Sequence, residues 1–164
     1  TEGTLADKLY AALTAGESKG GDARGKQSAA ILVVKEDAGY GGYTDRAIDI
    51  RVDDHAEPFR ELGRLLNFAQ MNYAWNEAWT LFTQQKYEPA LPPMERTVRL
   101  APENGEVWYD LAVIRASNNK PQEALDALKK ATELNPKLKK QAKGDADLES
   151  VQSMRRFRQI VEDN

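Results

Sequence analysis

The chain has 164 residues, a formal net charge of −3 and no cysteine. The missing thiol excludes disulfides, thiolate zinc sites and a cysteine nucleophile within these residues, and the acidic balance argues against a nucleic-acid partner. With 41% apolar and 30% charged residues and no apolar run longer than Ala29 to Val34, a globular fold without a membrane span is expected.

Eight of the 11 glycines fall before residue 43 and all seven prolines lie at or after Pro58, so two architectures are expected, 1–68 and 69–164. In chain order, Thr4 with Asp7 forms a capping pair, and Leu5, Leu9, Ala12 and Leu13 follow at helical spacing until Gly16. A glycine-rich polar turn, Gly20 to Gly25, leads into Ser28–Val34, apolar at successive positions like a buried strand. Gly39 to Tyr43 is the expected bend, and Ile48, Ile50 and Val52 then alternate with Asp49 and Arg51 as a half-buried strand. Two strands alone do not make a stable sheet, so further strands are expected from another chain or from residues outside this sequence. A helix is expected from Pro58, with Asp53, Asp54 or His55 available to cap it. It either runs unbroken to about Gln85 or bends near Asn67–Asn72.

A 34-residue period follows: Arg99-Leu100-Ala101-Pro102 returns as Glu133-Leu134-Asn135-Pro136. Between them stand Trp108, Leu111 and Ala112, then Ala124, Leu128 and Ala131. Small residues allow two antiparallel helices to approach, and large ones fill the gaps. This pattern resembles the tetratricopeptide repeat. It departs from that pattern with Ala112 for glycine, and with Arg115 and Leu128 for aromatics; Arg115 is expected to weaken packing at its position. The preceding unit, about 71–102, fits in its second half, but its first helix lacks the signature. The segment from Leu138 resembles the capping helices that close such arrays. The resemblance implies a groove for a peptide or protein partner, lined by Tyr109, Val113 and Ala116. The lysine and asparagine pattern of the carboxylate-clamp subclass is absent.

Three front motifs carry a second resemblance: Gly20-Gly21-Asp22-x-Arg24-Gly25-x-Gln27-Ser28, then Gly39-Tyr40-Gly41-Gly42-Tyr43-x-Asp45-Arg46, then Arg51-Val52-Asp53-Asp54-His55. Their order and spacing over about residues 4–66 resemble the C-terminal part of the domain-of-unknown-function family 1028, similar in fold to the Ntn hydrolases, a four-layer αββα sandwich. The resemblance implies that the N-terminal half of that domain, with its nucleophile strand, lies outside this chain. On that expectation the chain is a fragment, and the missing half is one of its partners.

The expected fold class is therefore mostly α with a small β hairpin (α+β): tetratricopeptide-like helical hairpins plus a partial Ntn-hydrolase-like segment. Thr1 as an N-terminal nucleophile is disfavoured, because it precedes a helix rather than opening a strand. Asp53, Asp54 and His55 form an acid–base grouping, but a helix-start role explains the same residues. Asp22 and Arg24 either line a pocket at the strand end or organise their turn. A single histidine argues against a transition-metal site, and no motif calls for a cofactor. The lysines from Lys129 to Lys143 read as a solvated face. The leading expectation is a protein-interaction module, with an amide-bond hydrolase fragment as the alternative. A third is an oligomerisation element that pairs copies through the hairpin. No leader is visible at Thr1, so a cytoplasmic location is expected, with no membrane partner.

Overall fold

The computed structural model describes the backbone of residues 29–37 and 42–50 and residues 51–162 in full. The expected helix from Thr4, the turn carrying Asp22 and Arg24, and Thr1 itself lie outside the described residues. The chain divides into two compact units, Thr1–Ala69 and Gln70–Asn164.

In the first unit, β1 (Ala29–Asp37) pairs antiparallel with β2 (Gly42–Val52). The register sets Ala29 opposite Val52, Ile31 opposite Ile50 and Val33 opposite Ile48, apolar against apolar, while the alternate pairs set Ala30 opposite Arg51 and Leu32 opposite Asp49. Irregularities fall between Val33 and Val34 and between Lys35 and Glu36. Both strands outrun their apolar cores. β1 continues through Lys35-Glu36-Asp37, and β2 already starts at Gly42, inside the expected bend. Backbone pairing, once begun, extends through polar residues that the apolar pattern does not mark. Among the described residues this sheet has two strands only, and Val52 is buried.

Helix α1 (Pro58–Thr83) begins at the expected proline and is one continuous helical segment. Its first turn carries two exposed pairs, Arg60 with Glu57 at 3.0 Å and Arg64 with Glu61 at 2.6 Å. Such surface pairs contribute little to stability.

The second unit begins with the rest of α1 and continues with α2 (Tyr87–Leu100), α3 (Gly105–Ser117) and α4 (Pro121–Leu134). It closes with α5 (Leu138–Gly144), a 3₁₀ turn (Ala146–Leu148), α6 (Glu149–Gln152) and α7 (Arg155–Val161). The 34-residue period is visible in the backbone itself. After α1, Gln85 takes φ 59°, and Lys86 N–H reaches back to the Leu81 carbonyl at 3.0 Å. After α3, Asn119 takes φ 57°, and Lys120 N–H reaches the Arg115 carbonyl at 3.0 Å. Both are left-handed helix stops that satisfy the last carbonyls. The small-residue positions also recur. Ala78 and Ala112 are fully buried, as are Ala90, Ala124 and Ala131, while Met94 and Leu128 fill the space between helices. The unit from 71 therefore has the repeat's geometry even though its first helix lacks the expected large residues, Ala74 standing where Trp108 stands in the next.

Gly105 marks a close approach. A Cβ there would meet the Ala131 carbonyl oxygen and Asn135 Cβ, each at 3.0 Å. Asn104 caps α3 by accepting from Glu106 N–H at 3.0 Å, and the Trp108 indole donates to the Pro102 carbonyl at 2.8 Å. Leu138, Ala142, Leu148, Val151, Phe157 and Val161 bury the end of the array.

Arg115, where weaker packing is expected, makes polar contacts in place of apolar ones. It is largely buried, and its guanidinium donates to Glu95 on α2 and to the Glu123 carbonyl on α4, each at 3.3 Å. Where an aromatic ring would fill the gap between helices, a charged fork ties three of them together. Its Nε is buried without a hydrogen-bond partner.

Candidate functional site

The acid–base grouping at the end of β2 is an exposed lead into α1. Asp53, Asp54 and His55 all face solvent. Asp54 takes the left-handed φ of 51°, and His55 Nδ1 accepts the Glu57 N–H at 3.0 Å. One ring nitrogen is thus engaged in ordering the turn before the helix. Among the described residues no group of three or more histidine, aspartate or glutamate side chains is arranged to hold a metal ion.

Tyr109, Val113 and Ala116, expected to line a groove, are instead buried. The physical reason is the end of the chain: α3 packs against α5, the 3₁₀ turn and α6. The Tyr109 hydroxyl donates to Asp145 Oδ2 at 2.6 Å, and Asp145 Oδ1 accepts Asp147 N–H at 2.9 Å. The Gln152 amide adds a bond to the Asp145 carbonyl at 2.8 Å. Burial, then the bond to Asp145 and the neighbouring carboxylate charges, push the Tyr109 hydroxyl far above its ordinary range.

One period earlier, the equivalent positions are Trp75, Trp79 and Phe82 on α1. Their spacing of i, i+4 and i+7 puts them on one face of the helix. The rings form a ladder: Trp75 to Trp79 at 6.0 Å, Trp79 to Phe82 edge-on at 4.9 Å, and Phe82 to Tyr87 at 5.4 Å. Both indoles point their N–H groups at one atom on α3. Trp75 Nε1 donates to Asp110 Oδ2 at 2.7 Å and Trp79 Nε1 to the same oxygen at 3.4 Å. Burial raises the Asp110 carboxyl above its ordinary value; the two indole donors pull it back and the Glu106 charge adds to the rise. Trp75 remains 36% exposed. This face combines exposed aromatic surface with a fixed, half-buried carboxylate.

The sequence pattern singles out Tyr109, Val113 and Ala116 in one repeat and not their counterparts Trp75, Trp79 and Phe82 in the preceding one. The offset of 34 that relates Tyr109 to Trp75 and Val113 to Trp79 was the available signal. Asp110 had none, because a single aspartate in a helix reads as surface.

A separate cleft of about 490 Å³ lies among Lys129, Glu133, Lys139, Arg156 and Ile160. In it Arg156 pairs with Asp126, and Lys129 with Glu133 at 3.8 Å.

Residues 1–62 match a family of unknown function (DUF1028), and residues 105–138 match the tetratricopeptide repeat. The second match covers α3, α4 and the loops at either end of α4. No curated protein and no solved structure matches the chain. Among the described residues no helix is long and apolar enough to cross a membrane.

Proposed function

We propose that this chain, a segment matching the family of unknown function (DUF1028) followed by a tetratricopeptide repeat, is a protein-interaction module that takes a polypeptide partner on its α1–α3 face. The single observation that carries this reading is Trp75, a large aromatic left partly in water while its indole is fixed on Asp110. Exposed aromatics with low conformational freedom are efficient contact surface. The partner site thereby moves from Tyr109, Val113 and Ala116, which are buried, to the preceding repeat. The full chain, probed against an array of random-sequence peptides, is expected to retain a subset that the Trp75→Ala variant releases. Retention of no peptide, or of the same peptides by the variant, would contradict it.

The front segment supports a second proposal. Its resemblance to an Ntn-hydrolase-like domain, alongside the match over residues 1–62 to a family of unknown function, supports reading it as the closing part of an αββα sandwich. Its parent domain is then an amide-bond hydrolase whose nucleophile stands elsewhere. The two-stranded ribbon needs neighbours to be stable, supplied by that domain or by a second copy of the chain. Amidase activity of the full-length protein, lost on replacing its first-strand nucleophile, is the test; an inactive full-length protein would remove this reading. The module is taken to work in the cytoplasm.

A further inference from the structure

We infer that the segment docking on the α1–α3 face presents a lysine or arginine, whose cation pairs with Asp110 while its aliphatic stem lies over the Trp75 ring. This deepens the interaction-module reading and rests on it.

The chemistry of the face selects the occupant. Both indole N–H groups converge on Asp110 Oδ2. Among the described residues no donor reaches Oδ1, so one oxygen of a positioned carboxylate remains to accept from outside. The side chain that holds this carboxylate in place is also the one that offers an open aromatic ring beside it. A guanidinium or ammonium satisfies both elements at once: it pairs with the acid and stacks on the negative face of the indole. An apolar side chain would cover Trp75 but leave a carboxylate with a desolvated, unpaired oxygen, which is costly.

Charge complementarity extends beyond the one residue. Glu106 lies one helical turn before Asp110 and is close enough to act on its titration. Asp145 and Asp147 act in the same way on Tyr109, the residue next to Asp110. Among the described residues none of these four carboxylates forms an ion pair with a lysine or arginine of the chain. The second unit's ion pairs instead involve Glu95, Glu123, Asp126 and Glu133. At Asp110 and Glu106 the face thus presents negative charge that no lysine or arginine of the described residues neutralises, and like charges repel an acidic partner.

The test uses the full chain and peptides retained on the array, each resynthesised with arginine, norleucine or glutamate at its most sensitive position. The arginine form is expected to bind about tenfold or more tightly than the other two. That preference should fall with added salt and shrink to a few-fold in Asp110→Asn, which keeps an oxygen for the indoles. Glu106→Gln, away from the indole bonds, is expected to give a smaller loss and controls for damage to the fold. Binding with no preference among the three forms would overturn the inference while leaving the interaction module standing. A preference for glutamate that depends on Lys129 and Lys139 would overturn it in favour of the cleft. Self-association that Trp75→Ala abolishes and the arginine peptide does not displace would overturn it in favour of a second copy. Retention of no peptide at all is the distinct result that removes the module reading itself.

Discussion

Trp75 on α1 donates its indole N–H to Asp110 on α3 across 2.7 Å, and Trp79 points at the same oxygen. This bond links two successive repeats through a carboxylate that burial holds above its ordinary value of 3.8. Removing the acceptor should cost more than neutralising it. Asp110→Ala strands the half-buried Trp79 N–H and is expected to lose about 1–3 kcal/mol in urea melts. Asp110→Asn, which still accepts, should stay within about 1 kcal/mol of the parent at neutral pH. The pH dependence has a definite sign. An acid whose folded pKa is raised contributes stability below its unfolded value and loses it as pH rises through the folded value. Asn has no such term. The gap between the two proteins should therefore shift in favour of Asp110→Asn as pH rises from 3.8 through the raised folded value; a gap constant with pH would contradict the assignment.

Tyr109 provides an independent check on the C-terminal cover. Burial and the Asp145 acceptor hold its proton well above the ordinary value of 10.0. In an ultraviolet titration of the six tyrosines, this one is expected to ionise last and only with unfolding. The same shift makes the fold lose stability as pH rises above 10. Asp145→Asn should advance that ionisation. If every tyrosine titrates normally in the folded protein, the Tyr109–Asp145 lock is not present.

The paired helix stops make a prediction about backbone strain. Gln85 and Asn119 hold left-handed φ values of 59° and 57°, a region glycine tolerates best and asparagine next. Gln85→Gly is expected to stabilise the protein by about 0.5–1 kcal/mol, and Asn119→Gly by less. Thermal melts of the two single variants suffice. A loss of stability for Gln85→Gly would mean that the stop after α1 is not strained.

Arg115 occupies a gap that Leu81 fills one repeat earlier. Its guanidinium joins Glu95 and the Glu123 carbonyl, yet its Nε has no hydrogen-bond partner. Partly buried charge networks are often matched by an apolar residue of similar volume. Arg115→Leu should therefore fall within about 1 kcal/mol of the parent, whereas Arg115→Ala should lose about 1–3 kcal/mol through an unfilled space. If leucine destabilises as much as alanine, the polar tie rather than the packing holds the three helices.

How much of this was legible in advance follows from the physics of each element. Periodicity located α3 and α4, because their buried alanines and leucines alternate with charge at helical spacing. It also located the start of α1 at Pro58, where proline's fixed φ and missing N–H suit a first turn. The strand ends were misjudged, since Lys35 to Asp37 and Gly42 to Arg46 join the ladder through backbone bonds that no side-chain pattern records. The burial of Tyr109, Val113 and Ala116 has no sequence signal. Motif matching weights Trp108 and Leu111, whereas exposure is decided by what packs on top, and Asp145 and Leu148 lie 35 or more residues beyond Tyr109 and Asp110. Asp110 was invisible for the same reason: its role is set by two tryptophans 35 and 31 residues away.

The central claim is that the face of Trp75 and Asp110 receives the partner, and the three tryptophans report on it directly. In ¹H–¹⁵N spectra of the full chain, titrated with an arginine peptide retained on the array, the Trp75 and Trp79 indole signals should move together. The Trp108 signal, bonded to the Pro102 carbonyl, should stay. Saturable binding that leaves the Trp75 and Trp79 signals in place would contradict the account.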